Sequence, residues 1–516
     1  MKDVKWAHPQ ASSGERPGLV LAAVAVVQFM VSLDLSVVNV GLPEIAKGLG
    51  FGVADLTWVI HAYALAFGGL LLLGGKAADR YGRKRVLVTG LALFGAASSA
   101  GGFAQAPGQL IAARAAQGIG AAALAPAALA LLTSTFPTGR ARVRAFGVWS
   151  AVNAAGGALG VLAGGLLTQY AGWRWVMFLN VPMAAVALAL AWRGIANDRT
   201  GVRGGGTDSR GDGTGVRRGG TGVRGARAKV PGDRPDVLGA VLATSGLFLL
   251  VLGVVRTDRN GWGSPVTLAT LALSVLLLAA FLVVERTTAR EPLLRIGLFA
   301  HRSVAGANVF NLLVGAGMAT AFYFVSLYAQ RVLGNGAAVT GLMFLPFALG
   351  VVAGSVLAVT LGYRFAARTI LVCGSLLTAL GLGWFGLISA DGGFLTDILG
   401  PSLVASVGFG LCLGPVVSVA TADVAPHEAG TASGLLNSSR QIGASLGLAA
   451  LSTAATHRTG ASLGPHHLTQ GYAFALTLSA AVLAAATLTA LTIPRRTPPK
   501  PRAVPALPER ETAPAD

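Results

Sequence analysis

The chain has 516 residues, of which 53% are hydrophobic and only 12% are charged, and 71 of them are glycine. Soluble domains carry roughly 25% charged residues, so this composition excludes an ordinary soluble protein and favours membrane helices, which small residues allow to approach closely. The formal net charge of +19 could suit a nucleic-acid-binding protein. However, the basic residues concentrate in loops on one side of the predicted helices, as the positive-inside rule describes, so we expect no nucleic-acid partner.

Apolar segments of membrane-spanning length, about 20 residues each, recur along the whole chain. They predict helices at 18–40, 55–75, 86–106, 108–133, 144–168, 173–193, 236–255, 265–285, 303–330, 338–360, 368–390, 396–420, 429–453 and 470–493. The alternating pattern of a membrane β-barrel is absent, so the expected fold class is all-α and polytopic, with fourteen transmembrane helices. The distribution of Lys and Arg predicts that both termini are cytoplasmic.

The spacing of the helices predicts two halves of six helices each, separated by a linker and a two-helix insert, as in transporters built from repeats. The predicted parts are a tail at 1–17, a first half at 18–193, a linker at 194–235, an insert at 236–285, a second half at 303–493 and a tail at 494–516. The Gly/Arg-rich linker cannot bury enough apolar surface to fold, so we predict that it is disordered and cytoplasmic, like the C-terminal tail. Binding of RNA or anionic lipid by the linker is a less favoured alternative.

The first apolar segment, Leu19–Pro43, contains a single charged residue, Asp34. A carboxylate at the centre of a bilayer costs about 2.5–3.5 kcal/mol on insertion scales, so such a residue is a candidate functional group. Ser32, Ser36 and Asn39 are spaced by four and three residues and share one helix face, and Gln28 lies one turn before Ser32. We therefore expect a polar stripe that faces the protein interior or a wet cavity, with Gln28 and Asn39 as tentative cavity residues.

The loop after the second predicted helix has a fixed pattern of glycines and charges. It contains Gly75, Asp79, Arg80, Gly82, Arg83 and Lys84. Gly75 would allow close helix contact, and Gly82 would permit a tight turn. The acid could hold an arginine or a helix N-terminus in one conformation and release it in another, which predicts a gating loop. The alternative is a generic basic loop on the cytoplasmic side.

Two further helices carry candidate residues of the first half. Arg114 lies in the fourth helix, where an arginine needs an acid, a carbonyl or water as a partner. Gln117, one turn later, is a further tentative residue of the substrate cavity. A structural hydrogen bond to the backbone of the first helix is the alternative role for Arg114. In the fifth helix Gly156, Gly160 and Gly164 recur every four residues, so a neighbouring helix can pack closely.

In the second half, Asn437, Arg440 and Gln441 make the middle of the thirteenth helix polar. They either line a cavity or form a packing network between helices. Phe322 and Tyr323 of the ninth helix are candidate contacts for flat organic substrates, although an aromatic residue of a membrane helix more often belongs to the interface or the core.

Nothing in the sequence indicates an enzyme. The seven His and two Cys show no metal-binding or disulfide spacing, and Cys373 and Cys412 both fall within predicted helices. No HExxH or GxSxG pattern occurs, and we identify no nucleophile–base pair. We therefore expect no cofactor, no metal and no enzymatic activity.

Several of these segments together resemble one family of transporters. The loop Gly75–Lys84 resembles the signature loop of the major facilitator superfamily, and LDLSVVNVGLP at 33–43 resembles the first-helix motif of its fourteen-helix drug:H+ antiporter family. LIAARAAQGIGAA at 110–122, WRWVMFLNVP at 173–182 and GTASGLLNSSRQIGASLG at 430–447 resemble further motifs of that family. In the fifth helix, Gly157 and Val161 stand where the family has prolines.

This resemblance implies the fold and the function that we expect. The fold would be that of the superfamily, with two six-helix halves and the two-helix insert. The function would be proton-coupled efflux of hydrophobic or amphipathic small molecules, such as drugs or antibiotics, across a bacterial plasma membrane by alternating access. The proton-coupling residues would be Asp34 and Arg114, and the protein would act as a monomer. The alternative is a proton-coupled symporter or a facilitator for a small metabolite.

Overall fold

The computed structural model describes residues 16–52, 55–136, 139–195, 237–287, 296–424, 429–460 and 464–495. The predicted linker at 194–235 and the predicted tails at 1–17 and 494–516 lie outside these described residues, apart from two residues of each. Their predicted disorder therefore stays a prediction.

Long helices make up nearly all of the described chain, and the ranges above contain no β-strand. A short 3-10 helix, Ile296–Ala300, precedes the second half. The long helices are α1 (Pro17–Leu49), α2 (Trp58–Tyr81), α3 (Arg83–Gly102), α4 (Pro107–Thr135), α5 (Gly139–Tyr170), α6 (Arg174–Phe178 and Asn180–Gly194), α7 (Val237–Asn260), α8 (Pro265–Thr287), α9 (Arg302–Leu327, continued by a π-helical turn at Tyr328–Val332), α10 (Ala337–Met343 and Leu345–Gly362), α11 (Ala367–Phe385), α12 (a π-helical turn at Phe394–Leu399, then Gly400–Thr421), α13 (Ala429–Thr459) and α14 (Pro465–Thr492).

The first helix is longer than the sequence predicted. It begins with Pro17 at its first position, where the missing N–H costs nothing, and it ends at Gly50, which has φ 68° and serves as a left-handed cap. Pro43 lies inside the helix without ending it. A proline is tolerated in a membrane helix where neighbouring helices compensate for the lost hydrogen bond. The predicted end at 40 is therefore wrong by about two turns.

The number of membrane crossings is supported only in part. Within the described residues, twelve helices are long and apolar enough to span a bilayer. The two long helices that are not among them, α3 and α13, contain many small and polar residues, such as Ser98, Asn437 and Arg440. These two helices are therefore not apolar enough to be recognised as membrane spans. The prediction of fourteen crossings is not confirmed by length and hydropathy.

The same pattern of neighbouring helices occurs twice. In the first part of the chain α1 packs against α5, and α4 packs against α2 and α3. In the last part α9 packs against α13, and α12 packs against α10 and α11. The helices α7 and α8 pack against each other, and α7 also contacts α2 and α13. We call the two six-helix groups, α1–α6 and α9–α14, the first and second half.

The two halves meet along two pairs of helices. One pair is α2 with α13, and the other is α5 with α10. We call the end of the bundle at which α1 begins the near side, and the end at which α1 stops the far side. At the far side Gly165 of α5 lies against the backbone of Ala337, and the Gln169 side chain accepts a hydrogen bond of 2.8 Å from the Ala338 N–H. The halves are therefore in direct contact at the far side.

Candidate functional site

A buried ion pair lies in the centre of the first half. The Arg114 Nη1 of α4 and the Asp34 Oδ2 of α1 are 2.7 Å apart. The side chains are 2% and 0% exposed, so neither charge reaches the surface. Desolvation of two charges costs several kcal/mol per ion, and their attraction compensates for this cost only when the remaining donors and acceptors are also satisfied.

Two amides bind the other oxygen of the carboxylate. Asn180 Nδ2, from the second part of α6, donates to Asp34 Oδ1 at 2.7 Å. Gln117 Nε2 lies 3.4 Å from the same oxygen and donates a shorter bond of 2.6 Å to Ser98 Oγ of α3. Side chains from α4 and α6 therefore meet at the carboxylate of α1, and Ser98 of α3 joins them through Gln117.

The guanidinium of Arg114 is held on three further sides. Its Nη1 donates to Gln117 Oε1 at 2.9 Å, and its Nε donates to the Val59 carbonyl of α2 at 3.1 Å. Its Cζ lies 4.4 Å from the centroid of the Tyr63 ring, which is within cation–π distance. Arg114 thus connects α4 with both α1 and α2. Its backbone partner is in α2 and its partner in α1 is a side chain, so the alternative of a bond to the α1 backbone is not found among these contacts.

Some buried polar atoms of this network and of α2 have no partner among the described residues. They include the Tyr63 hydroxyl, the Asn180 Oδ1 and both ring nitrogens of His61. His61 is fully buried in α2 and makes an edge-to-face contact of 5.7 Å with Trp58. Buried polar groups in native proteins are usually satisfied by protein or water, so these positions are candidates for bound water.

The residues of the predicted polar stripe of α1 do not share one set of partners. Gln28 and Ser32 both bind the side-chain oxygen of Asn153 in α5, at 2.6 and 2.5 Å. Asn39 instead donates to the Leu35 carbonyl of its own helix. Gln28 therefore contributes to an α1–α5 contact, and the predicted cavity role of Gln28 and Asn39 stays a prediction.

In the predicted gating loop, the close helix contact occurs one residue earlier than expected. A Cβ atom at Gly74 would collide with the Ala122 backbone of α4, whereas one at Gly75 would lie at an ordinary 3.6 Å from Pro126. The prediction for Gly75 is therefore wrong in its position, since adjacent glycines cannot be told apart by sequence. Gly82 has φ 98°, which residues with a side chain rarely adopt.

The charged residues of this loop point to different neighbours. Asp79 and Arg80 are exposed. Arg83 donates to the Ala130 carbonyl of α4 at 3.2 Å, and Lys84 donates to the Ile195 carbonyl after α6 at 2.6 Å. The loop therefore joins the near-side ends of three helices, while its function as a gate stays a prediction.

The three glycines of α5 lie directly against α1. A Cβ atom at Gly156 or Gly160 would lie 2.8 Å from the carbonyl of Phe29 or Leu33, and one at Gly164 would lie 2.5 Å from that of Val37. Real Cβ contacts are longer, so α5 can approach α1 this closely only with glycine at these positions. Gly157 differs, since a Cβ there would meet only Ser36 Oγ at 3.9 Å.

The polar residues of α13 are spread over its surface. Gln441 is 5% exposed and packs against Gly68 of α2, between the halves. Arg440 Nη2 lies 3.5 Å from Asn437 Oδ1, and neither residue is fully buried. The packing interpretation therefore fits Gln441, whereas Arg440 and Asn437 remain candidates for a cavity.

The two predicted aromatic residues of α9 lie in different places. Phe322 stacks on Phe344 at a centroid distance of 5.7 Å and contacts Phe347 edge-on at 4.9 Å. Tyr323 lines a cavity at the far side of the bundle together with Arg331 and Tyr472. The structure therefore does not bring Phe322 and Tyr323 to one site.

The family of the chain follows from comparison with known proteins. The sequence profile of the Major Facilitator Superfamily matches residues 24–448 and, in a second match, residues 311–514. The chain belongs to the major facilitator superfamily. In this superfamily member, the described residues contain no group of three His, Cys, Asp or Glu that could hold a metal ion.

Relatives within the superfamily match almost the whole chain. It is 40% identical over 499 residues to the cephamycin export protein of Amycolatopsis lactamdurans, covering 96% of each chain. It is 39% identical over 475 residues to the puromycin resistance protein of Streptomyces alboniger, covering 90% of this chain and 88% of the relative. A solved bacterial homologue of the human lysosomal transporter Spinster, inward-facing and unoccupied, has a TM-score of 0.62 at 17% identity and covers 94% of this chain and 98% of its own. That likeness shows the superfamily fold alone.

Several residues of this superfamily member were missed by sequence reasoning. Asn180, Ser98 and Tyr63 surround the ion pair, and Asn153 binds the polar stripe of α1. Asn180 falls within the segment 173–182 that resembles the family. The motif therefore included Asn180, but it did not predict that Asn180 binds Asp34. Ser98 and Tyr63 carry no mark in the sequence, because single small or aromatic residues are common in membrane helices.

Proposed function

We propose that the chain is a proton-coupled exporter of hydrophobic or amphipathic small molecules, of the fourteen-helix drug:H+ antiporter type. The observation that carries the proposal is the fully buried Asp34–Arg114 pair, bound by Asn180 and Gln117. The names of two relatives, an export protein for cephamycin and a resistance protein for puromycin, support drug or antibiotic efflux. The protein would function as a monomer, with protons and the small-molecule substrate as its ligands.

Asp34 is the group that can carry the proton. A proton on the carboxylate removes the negative charge that holds Arg114 Nη1 at 2.7 Å, and the remaining interaction is a weaker hydrogen bond. Arg114 keeps its bonds to the Val59 carbonyl of α2 and to Gln117 of its own helix, α4. Protonation would therefore loosen α1 from α4 while leaving α4 attached to α2.

Helix α1 also contributes a contact between the halves. One to two turns beyond Asp34, the Asn39 carbonyl accepts a bond of 3.2 Å from Ser326 of α9, and the Val40 carbonyl accepts one of 3.1 Å from Gln330. Because α1 contains both the proton site and these contacts, a movement of α1 on protonation would act on the closed far side. This arrangement couples the proton to alternating access.

The distribution of basic residues indicates which side of the membrane each end of the bundle faces. The concentration of basic residues in the near-side loops supports a near side, with both termini, in the cytoplasm of a bacterial cell, and the far side would then face outward. The α1–α9 and α5–α10 contacts then close the outer side of the transporter. On this view α3 and α13 also cross the membrane, because their polar residues are covered by neighbouring helices, and the crossings number fourteen.

The test uses inside-out membrane vesicles with an imposed pH gradient and labelled puromycin and cephamycin as probes. We expect wild-type protein to accumulate at least one probe when the lumen is acidic, and Asp34→Asn to abolish this accumulation. Glu44→Gln is the matched control, since Glu44 lies on the same helix but is exposed and bound to Lys47. Gradient-driven accumulation that persists in Asp34→Asn would overturn the proton site. Accumulation only with the opposite gradient would identify a symporter.

A further inference from the structure

A cavity of about 240 Å³ lies at the far side, where the two halves and the insert meet. Most of its wall comes from the far-side ends of α9, α13 and α14. Thr57, just before α2, and Val255 of α7 complete the wall. This cavity is separate from the buried pair of the first half, since it shares none of the residues that bind Asp34.

The polar groups of this cavity are cationic or hydrogen-bond donors. Arg331 of α9 lies beside Tyr472 of α14, and Tyr323 faces them. Both tyrosines are buried, at 4% and 5% exposure. No acidic residue lines the cavity. The Arg331 guanidinium forms a side-chain hydrogen bond with Tyr472, and neither the Lys47–Glu44 pair nor the Arg114–Asp34 pair includes Arg331.

The aromatic walls are rigid before any ligand enters. The ring of Phe324 lies edge-on to Tyr323 at 5.0 Å and is tilted against Tyr472 at 5.3 Å. Side chains that are already packed lose little conformational freedom on binding, which favours affinity. The site therefore offers a flat apolar slot with one guanidinium at its edge.

Arg331 also connects this cavity with the outside of the bundle. A second, more open cavity of about 470 Å³ is lined by residues of the α1 end and of the α9–α10 turn, and Arg331 is the residue that lines both. Glu44 lines the second cavity but is bound to Lys47 at 2.7 Å. A ligand in either cavity therefore lies near Arg331.

We propose that the cavity at Arg331, Tyr323 and Tyr472 binds an aromatic carboxylate, as an exit-side site for anionic substrates. A guanidinium is always charged and matches a carboxylate with two parallel hydrogen bonds, and this pairing compensates a partly buried charge. A volume of 240 Å³ is below the roughly 300–1,000 Å³ of pockets that hold a whole drug, so the site holds one ring system and its carboxylate. The proposal rests on the proposed function only in treating this carboxylate as part of a transported compound.

Equilibrium binding tests the site without a proton gradient, so failure of transport and failure of the site are distinguishable. The full chain is reconstituted in phosphatidylcholine nanodiscs and titrated with 2-naphthoate and with its uncharged amide, 2-naphthamide. We expect Arg331→Gln to weaken naphthoate about tenfold or more, because a hydrogen bond to a charged group contributes about 1.5–3 kcal/mol and 1.4 kcal/mol is a factor of ten. Binding of naphthamide should be unchanged.

Two further variants guard against a misfolded Arg331→Gln protein. Tyr323→Phe removes one donor and should weaken naphthoate several-fold, and Lys47→Gln removes a cation that lines only the neighbouring cavity and should have no effect. Equal loss of naphthoate and naphthamide in Arg331→Gln, or no loss of either, overturns the proposal. A repeat with phosphatidylglycerol in the nanodiscs separates the sources of the anion. Displacement of naphthoate by this lipid would assign the site to a lipid headgroup and overturn the substrate role.

Discussion

The arginines within the helices of the two halves have different surroundings. In the first half Arg114 is 2% exposed and is bound by an acid, an amide, a carbonyl and an aromatic ring. In the second half Arg440 is only partly buried, and its bond to Asn437 is long, at 3.5 Å. No ion pair to Arg440 is found among the described residues, where the other polar contacts of α13 are neutral, as between Ser439 and Asn308 at 2.8 Å.

This difference separates two tasks that a coupled transporter must perform. A closed network with one acid can change by a single proton, and its energy depends strongly on that proton because both charges are buried. An arginine without an acid keeps a charge available for a ligand. The comparison therefore favours proton binding in the first half and recognition of substrate polarity in the second, where Arg331 lines a cavity whose lining residues include no acid.

The largest effect should come from breaking the pair of the first half. Asp34→Asn leaves Arg114 as an uncompensated buried charge, which typically costs about 3–5 kcal/mol, and the unfolding midpoint of the purified protein should fall clearly. The double variant Asp34→Asn/Arg114→Gln removes both charges and should recover most of this loss without recovering transport. Equal midpoints for the single and the double variant would contradict the pair as a coupled unit.

A smaller loss is expected from the amide that supports the carboxylate. Asn180→Ala removes a 2.7 Å hydrogen bond to the Asp34 carboxylate, and bonds to charged groups contribute about 1.5–3 kcal/mol. The control is Ser98→Ala, which removes a neutral bond to Gln117 and should cost about 1 kcal/mol. Thermal unfolding in detergent measures both, and a larger loss for Ser98→Ala would place the centre of the network at Gln117 instead.

The contact of α1 with α5 can be tested with two glycines of one helix. Gly164→Ala places a Cβ 2.5 Å from the Val37 carbonyl, and overpacking of this kind costs about 1–3 kcal/mol. Gly157→Ala meets nothing closer than 3.9 Å and should be neutral or slightly stabilising, because alanine favours a helix over glycine. Similar unfolding midpoints for the two variants would show that α5 does not depend on close approach to α1.

The smallest effect on stability should occur in the second half and completes the comparison. Arg440→Gln removes a charge that has no acidic partner in the described chain, so we expect the unfolding midpoint to change by less than the equivalent of about 1 kcal/mol. Arg114→Gln, its counterpart in the first half, leaves the buried Asp34 carboxylate unpaired and should destabilise strongly. If both arginines tolerate glutamine equally, the contrast between the halves is lost.

Much of the fold and the centre of the site could be predicted from the sequence. Long apolar segments mark most helices, and the high cost of charge in a bilayer singled out Asp34 and Arg114 before their contact was seen. The partners were not predictable in the same way. Asn180 follows the break at Leu179 within α6, and the sequence shows neither this break nor the direction of the amide. Adjacent glycines such as Gly74 and Gly75 differ only in the helix face that they occupy.

The C-terminal end of α6 is fastened by two other helices of its own half. The Arg16 N–H, at the start of α1, donates to the Gly194 carbonyl at 3.2 Å, and Lys84 of α3 binds the Ile195 carbonyl. These bonds complete the first half before the chain continues toward α7. We therefore expect the protein to tolerate division into two polypeptides after Ile195. Co-expression of the pieces should yield an assembly that co-purifies and transports, so each half could be labelled, exchanged or evolved as a separate gene product.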